Sequence, residues 1–268
     1  MFLLSKLLIL LIFGVCFGSF INVVRYRFSY QESLLFPNSY CDNCKKKLYW
    51  HQNIPIISWL VLGGRCKFCN YKIPISYPLI EIIVGMIFVL NNFSKNYFFQ
   101  NSPNANLILL CIFSFFLIAI SLIDLDHLVI PNSLTLSLLI CSIPMLLVMQ
   151  LSEDQNYYFI ISRIFQSAIS FIVLEFFSNI YYIFCKKVPF GMGDSKLISV
   201  FVIWLGIKAV LVSLLLSIYF AGFFIFISLI SKKIKYKSKI AFGPFLCLGG
   251  YLTLYFGKDF WLEKLFFF

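Results

Sequence analysis

Long apolar runs alternate with short polar gaps along nearly the whole chain. The runs cover residues 2–24, 79–94, 105–123, 133–151, 157–184, 197–207, 209–230 and 241–257. Most approach the roughly 20 residues with which an α-helix crosses a hydrocarbon core. The gap at Gly206 and Lys208 is weak, so the run before it makes only a short span. The pattern predicts an all-α polytopic membrane protein with about eight transmembrane helices.

The first run has Lys6 near its start and Arg25 and Arg27 behind it. It is longer than a signal-peptide core, and the heavier positive charge follows it. It therefore reads as a spanning helix that ends in the cytoplasm. Residues 25–78 are too polar to span: they hold eight basic residues, Glu32 and Asp42 as the acids, and Pro37, Pro55, Pro74 and Pro78. Three parts follow. Residues 1–24 are the first transmembrane helix, 25–78 a small cytoplasmic domain, and 79–268 the membrane core. Eight spans put the 25–78 domain, the turns at 124–132 and 186–196, and the lysine-rich loop 232–239 on one side. That side then collects most of the positive charge.

Composition agrees. Of 268 residues, 61% are hydrophobic and 12% charged, against roughly 45–50% and 25% in a soluble domain. A soluble globular enzyme and a disordered chain are both excluded. The net charge of +11 would suggest nucleic acid in a soluble protein. Here the basic residues fall in the gaps between apolar runs. The expected surroundings are a lipid bilayer, with no nucleic-acid partner.

Two C-x-x-C pairs, Cys41/Cys44 and Cys66/Cys69, lie in the polar domain. Each pair lets two thiolates reach one ion, and two pairs complete a tetrahedron. The predicted ligand set is Cys41, Cys44, Cys66 and Cys69 around a structural Zn²⁺ with no open position. A domain this small buries little core, so a metal staple supplies what packing cannot. Disulfides are disfavoured on a cytoplasmic face. The other cysteines suit small buried hydrophobes.

Five acids, Glu81, Asp124, Asp126, Glu175 and Asp194, lie within or at the edges of apolar runs. An ionisable group there is costly and is a functional candidate by default. Asp124 ends one run, ahead of Pro131-Asn132. Asp194 opens another in Gly191-Met192-Gly193-Asp194, where Gly191 and Gly193 would let a substrate backbone come close. The topology puts both acids at one depth on one side. Two facing carboxylates can share a proton, one polarising a carbonyl while the other activates water. Other readings stay open at this level. Asp194 suits a helix cap, Asp126 suits a solvated turn, and Asp124, Glu175 and Asp194 would also suit an ion-coupled transporter. A zinc-anchored scaffold without catalysis is a third reading.

The chain resembles the type IV prepilin peptidases, bifunctional leader peptidase/N-methyltransferases of type IV pilus assembly and type II secretion. The resemblance runs through Gly18-Ser19-Phe20-Ile21-Asn22, both cysteine pairs, Tyr77-Pro78-Leu79-Ile80-Glu81, Asp124-Leu125-Asp126 with Pro131-Asn132, Gly191-Met192-Gly193-Asp194, and Phe242-Gly243-Pro244-Phe245. It implies an aspartic protease whose catalytic pair is Asp124 and Asp194. Its substrates would be prepilins and pseudopilins, cut after a glycine at the cytoplasmic face of the bacterial inner membrane. It also implies N-methylation of the new N-terminus with S-adenosylmethionine. Both cysteine pairs are present, so both activities are expected. The methyl-donor site is not legible: the chain lacks a soluble-type glycine-rich donor loop, and Asn22, Arg25 and Glu81 at the border of the polar domain are the candidates.

Overall fold

The computed structural model describes residues 2–34, 36, 38–94, 103–152, 157–186, 191–231 and 240–266. The expected loop 232–239 lies outside them. Within lipid every backbone N–H and C=O must be paired inside the chain, which favours helices. Among the described residues the chain is helical, with two isolated β-bridges and no strand. Four helices are long and apolar enough to cross a membrane. They are α1 (Phe2–Tyr30), α4 (Pro103–His127), α6 (Tyr157–Cys185) and α8 (Ile207–Ile230). Shorter apolar helices are α3 (Ser76–Asn91), α9 (Gly243–Phe256) and the stretch Asn132–Leu147 of α5 (Asn132–Ser152). Helices α2 (Ile57–Val61), α7 (Met192–Leu205) and α10 (Lys258–Phe266) complete the set. Leu8, Ile12, Ile140, Ile164 and Phe226 face outward, which suits lipid tails rather than water.

The chain forms two compact units, Met1–Phe93 and Ser94–Phe268. In the first, α1 packs along α3. Small residues permit the approach. A Cβ on Gly18 would lie 2.6 Å from the Cα of Glu81, and one on Gly14 would lie 2.7 Å from the Cα of Gly85. The polar segment between these helices contains a 3₁₀ turn at Trp50–Asn53 and helix α2. Ile56 precedes α2 with φ 60°, an unusual backbone for a β-branched residue. Its N–H donates to Glu81 Oε2 at 2.7 Å, a contact that holds the turn against α3.

In the second unit, α4 packs on α9, α8 on α9, and α6 on α7. Phe113 of α4 meets Phe201 and Trp204 of α7, with ring centroids 5.6 and 5.0 Å apart. Trp204 Nε1 donates to the Leu138 carbonyl of α5 at 3.1 Å, so its one polar atom is satisfied inside the core. Gly206 has φ +85° and ends α7 before α8 begins, which accounts for the short run seen in the sequence. Arg163 Nη1 donates to the Val202 carbonyl at 3.3 Å. A cation at that C-terminus meets the negative end of the helix dipole.

Three boundaries differ from the apolar pattern. Helix α1 continues past residue 24 to Tyr30, carrying Asn22, Arg25 and Arg27 on one rigid element. Helix α4 continues through Asp124 and Asp126 to His127, and the chain turns only at Leu128, with φ 56°. Acids in a last turn do not end a helix whose backbone bonds stay paired, and Leu128 N–H still reaches the Asp124 carbonyl at 2.9 Å. Beyond Gly257, α10 is a polar-rich helix that apolar patterning misses.

Candidate active site and metal centre

Asp124 sits one turn from the end of α4 and is only 5% exposed. Its Oδ2 accepts the backbone N–H of Gly243, the first residue of α9, at 2.9 Å. Asp194 lies in the first turn of α7, and its Oδ2 accepts the Gly191 N–H at 3.2 Å. Each carboxylate thus accepts one glycine amide, and the charge of Asp124 acts on Asp194. Both also act on Cys247 of α9, which is buried. The contact from Asp194 to Gly191 is a helix-start contact, so the capping role is present as well.

The element between the acids is fixed too. Lys196 Nζ donates to Asn132 Oδ1 at 2.9 Å, tying the start of α7 to the start of α5. Gly193 lets α7 begin against Ile130, where a Cβ would lie 2.9 Å from that side chain. Gly191 is exposed. Asp126 is exposed in the last turn of α4, and Glu175 lies half-buried on α6.

The sequence pattern gives Gly243 no role, although its Phe-Gly-Pro string is visible there. A Cβ at this position would fall 2.5 Å from Asp124 Oδ2. Gly243→Ala should therefore displace the carboxylate while leaving the helices in place. Misplacing a reacting group by about an ångström costs on the order of 100-fold. A peptide-cleavage assay on the folded variant checks this, and wild-type turnover would show that Asp124 does not need the position it occupies.

The four cysteines form the second site. Their sulfurs lie within 4.8 Å of one another, and Cys41 Sγ and Cys69 Sγ are 3.8 Å apart. All four are free thiols. A tetrahedral ion with metal–sulfur bonds of about 2.3 Å places its sulfurs about 3.8 Å apart, so the set fits a metal ion. Two matching knuckles build it. Cys41 N–H donates to the Lys46 carbonyl and Cys66 N–H to the Tyr71 carbonyl, at 3.0 and 2.9 Å. Lys45 and Asn70, each four residues beyond the first cysteine of its pair, turn the chain back with φ 55° and 57°. Burial pushes the Cys41 thiol up to about 12, while the backbone N–H of Tyr71 brings Cys69 down to about 6. The Asn43 amide also reaches Cys69 Sγ, at 3.7 Å.

Glu81 and Asn22 lie buried on α3 and α1. Asn22 Nδ2 donates to the Tyr77 carbonyl at 3.1 Å. The Glu81 carboxylate accepts from the Ile56 N–H and from the Ser19 and Asn22 side chains. Arg25 lies on the same helix as Asn22.

Residues 12–94 match the bacterial peptidase A24 N-terminal domain, and residues 111–227 match the type IV leader peptidase family. The chain is 30% identical to a prepilin leader peptidase/N-methyltransferase of Legionella pneumophila over 275 residues, covering 92% of this chain and 90% of that protein. It is 29% identical to the protein of the same name in Neisseria gonorrhoeae, with coverage of 93% and 90%. The Aeromonas hydrophila protein of that name is 28% identical, with coverage of 92% and 90%. No solved structure matches the chain. The chain belongs to the type IV leader peptidase family.

Proposed function

We propose that this protein removes the leader peptide from type IV prepilins and pseudopilins and then N-methylates the exposed N-terminal residue. Family membership supports both activities and leaves the transporter reading without support. The observation that carries the protease is the pair Asp124 and Asp194, on the ends of different helices in one unit, each carboxylate accepting a glycine N–H. One carboxylate, ionised, takes a proton from water as the water oxygen attacks the scissile carbonyl. The other, protonated, donates to the carbonyl oxygen. Collapse breaks the C–N bond, and the leaving amine takes up a proton. The leader ends in a carboxylate, and the mature chain begins with a free amine.

S-adenosylmethionine supplies the methyl group. The amine lone pair forms the new N–C bond as the C–S bond breaks, the sulfur keeps that electron pair, and the amine releases a proton. Cys41, Cys44, Cys66 and Cys69 hold one structural Zn²⁺, closed to substrate. Eight spans set the 25–78 domain and both acids at the cytoplasmic face of the inner membrane. The 25–78 domain, with its border residues, serves methyl transfer, and 79–268 serves proteolysis. Full-length protein in detergent, mixed with a prepilin and S-adenosylmethionine, tests the reading by intact mass. The expected product has lost its leader and gained one methyl. A prepilin left whole would sink the protease, and a cleaved but unmethylated product would sink the second activity.

A further inference from the structure

A cavity of about 420 Å³ opens within the first unit, lined by α1, α3 and the cysteine-bearing segment. Small-molecule sites span about 300–1,000 Å³. Four of its lining groups are polar and nearly fully buried: Asn22 and Arg27 at 4% exposed, Gln52 at 7% and Glu81 at 6%. Two of them carry an unmatched atom. Donation to the Tyr77 carbonyl fixes the Asn22 amide, and its Oδ1 is left without a partner. Gln52 Oε1 accepts the Tyr49 N–H at 3.0 Å, and its Nε2 is left without one. Buried donors and acceptors are almost always paired, so an unmatched one of each in a single cavity points to a missing polar ligand.

Charge narrows the class. The donors to Glu81 are neutral: the Ile56 N–H, Ser19 and Asn22. Its carboxylate therefore offers negative charge that a cation would complete. Tyr26, Trp59 and Tyr77 also line the cavity. Aromatic faces favour a cation and stack on a flat heterocycle. Arg27, buried in the same lining, would meet an anionic group, so the complementary ligand carries a cationic centre, a carboxylate or similar anion, a planar ring and both donors and acceptors.

We propose that this cavity binds S-adenosylmethionine, with Glu81 supplying negative charge, Asn22 Oδ1 an acceptor and Gln52 Nε2 a donor. The assignment rests on the methyltransferase reading above and gives that activity a place in the fold. Cys41 and Cys66 also line the cavity, so the metal staple shapes it as well as holding the domain.

Equilibrium binding of radiolabelled S-adenosylmethionine and of S-adenosylhomocysteine to full-length protein in detergent tests it. The second compound lacks the sulfonium charge. Glu81→Gln keeps the shape and should weaken S-adenosylmethionine at least about 10-fold, and the neutral compound by less. Ser58→Trp, on the cavity wall, should block both. Zinc content and circular dichroism report on folding, and loss of zinc from one variant leaves the decision to the other. Ultraviolet cross-linking of the donor to the unaltered protein needs no variant, and the label should map to peptides within residues 16–81. Wild-type affinity in both variants, an equal loss of both compounds in Glu81→Gln, or label confined to other peptides would each overturn the assignment. If the wild type still methylates prepilin in any of those cases, the methyltransferase reading stands and only the cavity is wrong. A wild type that neither methylates nor binds the donor removes both.

Discussion

Asp124→Asn and Asp194→Asn should each lower leader removal by about 10²–10⁴-fold, the usual contribution of a positioned acid or base. The substitution separates chemistry from architecture. Asparagine caps a helix about as well as aspartate. In Asp194→Asn the amide oxygen can still accept the Gly191 N–H, which the carboxylate accepts at 3.2 Å. In Asp124→Asn it can likewise accept the Gly243 N–H, at 2.9 Å in the wild type. What the amide cannot do is take a proton from water or donate an acid proton. Asp126→Asn serves as the contrast, because Asp126 is exposed in the last turn of α4 and should change cleavage little. Rates on a prepilin in detergent decide the matter. Retained cleavage in either of the first two variants would reduce that aspartate to a cap or tether.

How much of this was legible in the sequence depends on the range of the interaction. Helices as such were legible, because apolar runs in lipid have no other way to pair their backbones. The cysteine set was legible because its ligands come as local pairs whose spacing states the chemistry. The acids stood out by cost, as charges at the edges of apolar runs. What holds them was not legible. Gly243 meets Asp124 across 119 positions and Lys196 meets Asn132 across 64, and no local pattern encodes either contact. The approach of α1 to α3 is carried by the absence of side chains at Gly14 and Gly18, which apolar counting passes over. No local pattern marks Gln52, and only the fold buries it with an unmatched amide. Glu81 was conspicuous as an acid, while its partner, the Ile56 N–H, depends on a backbone angle that β-branched residues seldom adopt.

Cys44→Ser/Cys69→Ser should abolish zinc binding and methylation while leaving most leader cleavage. Elemental analysis of the wild type should find about one zinc per chain, because four thiolates fill a tetrahedral shell. Structural zinc contributes on the order of 10 kcal/mol to the domains it staples. Apart from the ion, surface contacts such as Lys45 over the Tyr40 ring and Lys46 over the Phe68 ring hold the knuckles. The bridges Tyr40 to Lys47 and Arg65 to Lys72 are isolated, and Trp50, Leu60 and Val61 are exposed. Without the ion this segment should lose its fold, and with it the cavity walls that include Cys41 and Cys66. The acids depend on other elements. The amides that Asp124 and Asp194 accept come from Gly243 and Gly191, all within Ser94–Phe268. The two activities should therefore separate: mass spectrometry of the processed pilin should find the leader removed and the N-terminus unmethylated. If the variant instead cleaves poorly but methylates every product it makes, the cysteine segment serves the protease, and the division between the two units falls.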